Sequence, residues 1–238
     1  MRITGRGTRQ LLRSAAVRLA RPDGHGRGAL VAYGALSAVD LLATARSRTA
    51  RGPARAAKPL LMPALLSHTL RRRLDRDEPL PAPLLAGLGC ATVGDTALLL
   101  DDREKAMYTG IAAFLGTQLS YTVGMARLGG LDGIRRNPRP AVGCLAAWVA
   151  VNAALAPALP PRMRLPAAGY SLALTAMTAV ALGLGGKVAV GAVLFLASDL
   201  LIGAQQAGVR LPADEVLVMA GYIVGQYLIA TGWDAHTP

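Results

Sequence analysis

The chain has 238 residues, of which 53% are hydrophobic and 17% charged, with a formal net charge of +12. A soluble domain carries about 25% charged residues, so this composition excludes an ordinary water-soluble fold. The basic excess does not describe a nucleic-acid surface either, because the arginines fall between apolar blocks and have no stacking aromatics beside them.

Residues 1–28 carry seven arginines and a single acid, Asp23. Within them "RQLLRSAAVRLA" (9–20) spaces Leu11, Ala15 and Leu19 four apart, which suits either a short helix on an anionic membrane surface or a basic disordered tail. The segment has no continuous apolar core, so it does not read as a cleaved secretory signal. Eight apolar blocks follow, seven of them close to the ~20 residues that cross a bilayer core and the second short. They lie at 29–47, 58–70, 82–100, 107–126, 140–158, 165–185, 187–204 and 213–232. The sixth and seventh are divided only by "GLGGK" at 183–187. The expected architecture is all-α: one polytopic integral membrane bundle of about eight transmembrane helices over 29–232, with a short tail at 233–238.

An N-terminus in the cytoplasm puts 16 basic residues inside and 10 outside, as the positive-inside rule asks. Without the tail the count is 9 against 10, so the tail carries the orientation. Cys90 and Cys144 fall within spans and read as small core residues. His25, His68 and His236 lie in the tails and at one span end. That distribution does not supply the converging His and carboxylate ligands of a zinc hydrolase, and no metal site is expected.

Three aspartates interrupt the apolar blocks: Asp40, Asp95 and Asp199. Each costs roughly 2.5–3.5 kcal/mol at mid-membrane, so such residues face the bundle interior and commonly serve function. They are the twelfth, fourteenth and thirteenth residues of spans one, three and seven, which all cross in the same direction. Asn152 is the thirteenth residue of span five. At ~1.5 Å rise per residue the four side chains lie at nearly one depth. A bond to a neighbouring helix accounts most simply for Asn152, and serves Asp40 as well as a functional role does. Asp95 and Asp199 each follow a small residue, Gly94 or Ser198, which leaves room for close approach or for a ligand. Span four carries Phe114 and Gln118, and span eight repeats the spacing with Tyr222 and Gln226. Four residues apart, each pair shares a helix face, and the repetition is compatible with duplication of a four-span unit. Lys58-Pro59 opens span two on the aspartate side. Its ammonium is placed either to snorkel or to hold a phosphate, and Tyr121 either to pack or to donate.

These stretches together resemble the YhhN-like family of membrane proteins, which includes lysoplasmalogenases. The likeness rests on "KP" (58–59), "GDTALLLDDREKAMYTGIAAFLGTQLSYT" (94–122), "SD" (198–199) and "GYIVGQYLIA" (221–230), in that order, and spans about residues 30–232. It implies an eight-helix enzyme of the bacterial cell membrane that hydrolyses the vinyl ether of a lysophospholipid to a fatty aldehyde and a glycerophospho-head group, without metal or organic cofactor. It also implies that Asp95 and Asp199 are catalytic, with Lys58, Tyr121 and Tyr222 at family-like positions. Gln118 and Gln226 depart from it, since some relatives carry His there and an amide does not titrate.

The chemistry suits the aspartate layer. Vinyl ethers hydrolyse by protonation at carbon, and water traps the resulting oxocarbenium ion. One neutral carboxylic acid and one carboxylate are needed, and a second carboxyl nearby in an apolar setting drives two such groups into different protonation states. On this reading Asp95 and Asp199 form an acid/base pair, Tyr222 and Gln226 orient water or the ether oxygen, Asp40 lends support and Lys58 meets the phosphate. The competing reading is a proton-coupled transporter of a small amphiphile, because buried aspartates also relay protons. A third is a scaffold whose polar layer only fixes helix register.

Overall fold

The computed structural model of the protein describes residues 26–46, 56–99 and 104–237, and all of their regular structure is helical. In chain order the helices are α1 (Arg27–Arg46), α2 (Lys58–Leu74), α3 (Ala82–Leu99), α4 (Glu104–Met125), α5 (Leu131–Arg136), α6 (Arg139–Leu155), α7 (Pro161–Leu184), α8 (Gly186–Gln206) and α9 (Asp214–Gly232). Eight of these nine have 17 to 24 residues and match the eight apolar blocks. Six are long and apolar enough to cross a membrane by themselves; α2 and α4 are the two long helices outside that set. The protein is therefore a multi-pass membrane protein built as an all-α bundle. Most of the basic tail, residues 1–25, lies outside the described residues.

Local chemistry sets the helix ends. Pro59 stands in the first turn of α2, and Pro161 in that of α7, where a missing N–H costs nothing. Span two runs on to Leu74 because Arg71, Arg72 and Arg73 occupy its last turn, where cations complement exposed carbonyls. Gly185, at φ +81°, ends α7 and starts α8, so the thin punctuation at 183–187 does divide two helices. The connection 127–139 is more structured than a loop. A kink at Gly129, which takes φ +100°, leads into the short α5, whose Gly133 meets the Gly183 carbonyl so closely that any side chain there would collide with it.

Packing links α1 to α2, α2 to α3, α3 to α4, α4 to α7, α7 to α8, α8 to α9, and α9 back to α1. Helix α6 stays outside this circuit: it packs mainly on α7, and none of its residues is buried, as suits a helix surrounded largely by lipid. Helix α9 has the opposite character, with half of its span inside the bundle and further contacts to α2. The core gathers Leu61, Met62 and Leu65 of α2, Leu84 and Leu88 of α3, and Ile229 of α9. At the end away from the aspartates, the buried Arg73 guanidinium pairs with Asp234 and Glu78 and donates to Thr237, which fastens the C-terminal turn to α2.

Helices α8 and α9 approach closely at paired glycines. An added Cβ on Gly191 would stand 2.7 Å from the Gly225 carbonyl oxygen and 2.9 Å from the Ile229 nitrogen. We expect Gly191→Ala to destabilise the purified protein by about 1–3 kcal/mol, read as a lower thermal midpoint in detergent. Gly143→Ala on α6 meets nothing within 4 Å and should leave the midpoint unchanged or slightly higher.

Candidate functional site

The candidate site residues singled out in the sequence lie on six helices: Asp40 on α1, Lys58 on α2, Asp95 on α3, Gln118 and Tyr121 on α4, Asp199 on α8, and Tyr222 and Gln226 on α9. Asp95, on α3, is completely buried. The Tyr222 hydroxyl of α9 donates to its Oδ2 at 2.8 Å, and the Lys58 ammonium of α2 lies 3.5 Å from its Oδ1. The same ammonium sits 6.0 Å from the centre of the Tyr222 ring. Lys58 thus turns inward to a carboxylate, which neither snorkelling nor a waiting phosphate site describes by itself. Asp40 of α1 is also completely buried.

Asp199, on α8, has a different setting. It is half-buried, and its Oδ2 accepts a 2.7 Å hydrogen bond from the Tyr170 hydroxyl of α7. The two aspartates do not bond each other; each has its own tyrosine. Phe114 and Phe195 each pack edge to face on Tyr222, with centroids 5.9 Å and 5.5 Å from its ring.

The two glutamines lie inside, and both are fully buried. Tyr121 is a donor: its hydroxyl bonds Gln226 Oε1 at 2.8 Å, and Gln226 Nε2 has no partner among the described residues. Gln118 lies beside the Tyr170 hydroxyl, yet among the described residues neither of its amide atoms makes a well-formed hydrogen bond. The repeated spacing on spans four and eight therefore delivers two inward amides with spare hydrogen-bonding capacity. Asn152 takes the simpler of its readings, donating to the Trp148 carbonyl at 2.9 Å and lying 3.4 Å from the Ser171 hydroxyl on α7. Two cavities of about 240 and 300 Å³ lie toward the opposite end, lined in part by Arg136 and Gly183 and by Arg72 and Asp234. Neither includes an aspartate of the layer, so the site is defined by its side chains and not by those hollows.

Sequence reasoning missed Tyr170 and Tyr33. Tyr33 donates to the Ile223 carbonyl at 2.7 Å and ties α1 to α9. A signal for Tyr170 was present: it follows Gly169, just as Asp95 follows Gly94, Asp199 follows Ser198 and Tyr222 follows Gly221. In each case a small residue precedes the polar group in an apolar helix.

Fold and site together define a multi-pass membrane protein with an intramembrane layer of carboxyl, hydroxyl and ammonium groups. The chain belongs to the YhhN family, whose model matches residues 54–233. No curated protein matches it. No solved structure matches it either.

The Lys58–Asp95 contact generates a stability test. Removing one partner of a buried pair strands the other, at a cost of about 3 kcal/mol. Lys58→Met should therefore lower the thermal midpoint, whereas Lys58→Met combined with Asp95→Asn should recover part of the loss, with a coupling of at least about 0.5 kcal/mol. Additive effects of the two substitutions would mean that the pair contributes nothing.

Proposed function

We propose that this protein is a membrane hydrolase that cleaves the vinyl ether bond of a lysoplasmalogen, or of a closely related lysophospholipid, to a fatty aldehyde and a glycerophospho-head group. The observation that carries the reading is the pair of carboxyl–tyrosine contacts, Asp95 with Tyr222 and Asp199 with Tyr170, in an otherwise apolar interior. Both aspartates stand at positions that the family resemblance assigns to catalysis.

The reaction needs a proton delivered to carbon, a negative charge near the oxocarbenium ion, and water held beside it. Asp95 and Asp199 supply the acid and the carboxylate, with Asp40 in support. Gln226, steadied by Tyr121, and Gln118 offer unused amide N–H groups for water or the ether oxygen. An ammonium has three N–H donors, so Lys58 can serve Asp95 and still meet a substrate phosphate. The half-buried side of Asp199 suits a lipid that arrives sideways from the bilayer. Acid/base hydrolysis of this kind requires neither metal nor organic cofactor. We further propose that the protein resides in a bacterial cell membrane with its N-terminus in the cytoplasm, as the basic tail implies.

The test is aldehyde release from a defined lysoplasmalogen by detergent-purified protein, beside Asp95→Asn and Asp199→Asn. General acid–base groups contribute 10²–10⁴-fold, so each variant should lose at least about 10²-fold in rate per folded protein. Asp199→Asn should retain its thermal midpoint, whereas Asp95→Asn, which strands Lys58, should lower it. No aldehyde from folded wild type would reject this substrate. Uptake that depends on a proton gradient would instead favour a transporter.

A further inference from the structure

The two carboxyls of the layer are not equivalent, and the difference separates their tasks. Asp95 has a cation at 3.5 Å, a tyrosine donor at 2.8 Å and 0% exposure. An adjacent ammonium favours the ionised form of a carboxyl, and a fully enclosed side chain cannot touch a substrate carbon as the structure stands. Among the described residues no Lys, Arg or His nitrogen comes within 4.0 Å of Asp199. The titratable and charged groups that face it, among the described residues, are Tyr170 from α7 and, farther away, Lys58 from α2. Asp199 is also the partly accessible one of the two.

We propose that Asp199 is the carboxylic acid that protonates the substrate and that Tyr170 is its positioning residue, holding Oδ2 as the carbonyl oxygen so that Oδ1 carries the proton. A neutral carboxyl has one oxygen that only accepts and one that bears hydrogen. The Tyr170 O–H at 2.7 Å occupies the accepting oxygen and thereby selects the other for donation. Gln118 stands beside the Tyr170 hydroxyl with both amide atoms short of a partner, which leaves it free to hold water next to the same carboxyl.

For the substrate this inference rests on the hydrolase reading above; for the difference between the two carboxyls it does not. The proton on Oδ1 forms the new C–H bond at the vinyl carbon distal to the ether oxygen, the π pair makes that bond, and the oxygen lone pair stabilises the cation. Water then adds to the cationic carbon and returns a proton to the Asp199 carboxylate. The hemiacetal collapses to aldehyde and alcohol. Overall one water is consumed, nothing is oxidised or reduced, and Asp199 ends as it began.

Infrared spectroscopy of the detergent-purified full chain reads the assignment directly, because a protonated carboxyl has a carbonyl stretch well apart from the carboxylate bands. At neutral pH we expect part of that band to vanish in Asp199→Asn and to persist in Asp95→Asn. In Tyr170→Phe the same component should move to higher frequency, since its oxygen loses a hydrogen bond. Kinetically, Tyr170→Phe should lower kcat on the order of 10-fold, the scale of a misplaced catalytic group, with KM within twofold. Loss of the band in Asp95→Asn instead of Asp199→Asn would reverse the roles and overturn the proposal. An unmoved band in Tyr170→Phe would remove Tyr170 from it. A band that behaves as expected in a protein that releases no aldehyde would reject the vinyl ether substrate while leaving Asp199 as the neutral carboxyl.

Discussion

A carboxylate placed in hydrocarbon must have its charge compensated by the protein, and Asp95 imposes that requirement on three helices at once. It sits on α3, takes its cation from α2 and its hydrogen bond from α9. These three helices are bound to one another by a polar contact whose loss would strand a buried group. The rest of the layer is arranged around the same point. Phe114 and Phe195 wall the Tyr222 ring from two sides, and Tyr121 secures Gln226 one turn farther along α9. Tyr33 reaches the backbone of α9 at Ile223, the residue after Tyr222.

Helix α9 is thus the axis of the molecule. Membrane helices associate through close packing and interhelical hydrogen bonds, since lipid offers no hydrophobic drive toward another helix. Both devices converge on α9. Gly191 and Gly225 bring its backbone against α8, while Ser198 donates to the Val218 carbonyl at 2.8 Å. The outer helix α6 has neither device at comparable strength. Its polar links to α7, through Trp148 and Asn152 to Ser171, hold it at the rim.

A layer of this kind joins stability to chemistry. The groups that let Asp95 remain buried also separate its character from that of Asp199, which has a hydroxyl partner but, among the described residues, no cation within 4.0 Å. Two carboxyls at similar depth in one bundle thereby acquire different environments, the condition under which a pair of like groups can divide acid from base. The inward amides of Gln118 and Gln226 complete the setting with hydrogen-bonding capacity that the fold leaves unused.

Apolar block length alone was enough to read the eight long helices, because a bilayer core demands about 20 residues per crossing wherever it is met. Asp40, Asp95 and Asp199 stood out for the same reason: lipid penalises a charge irrespective of its neighbours. The short α5 escaped notice because six residues interrupted by glycine have no such signature. Tyr170 escaped because a tyrosine within an apolar run is ordinary until its hydroxyl has a partner. That Lys58 faces Asp95, that Tyr170 faces Asp199 and that Tyr121 serves Gln226 follow from which helices are neighbours and how each is rotated. The sequence by itself determined the solvent this chain lives in and its all-helical form, since each depends only on transfer of local segments from water to lipid. The pairing within that layer, and with it the difference between the two carboxyls, was decided only by the tertiary structure, because contacts between distant helices depend on packing that no local segment encodes.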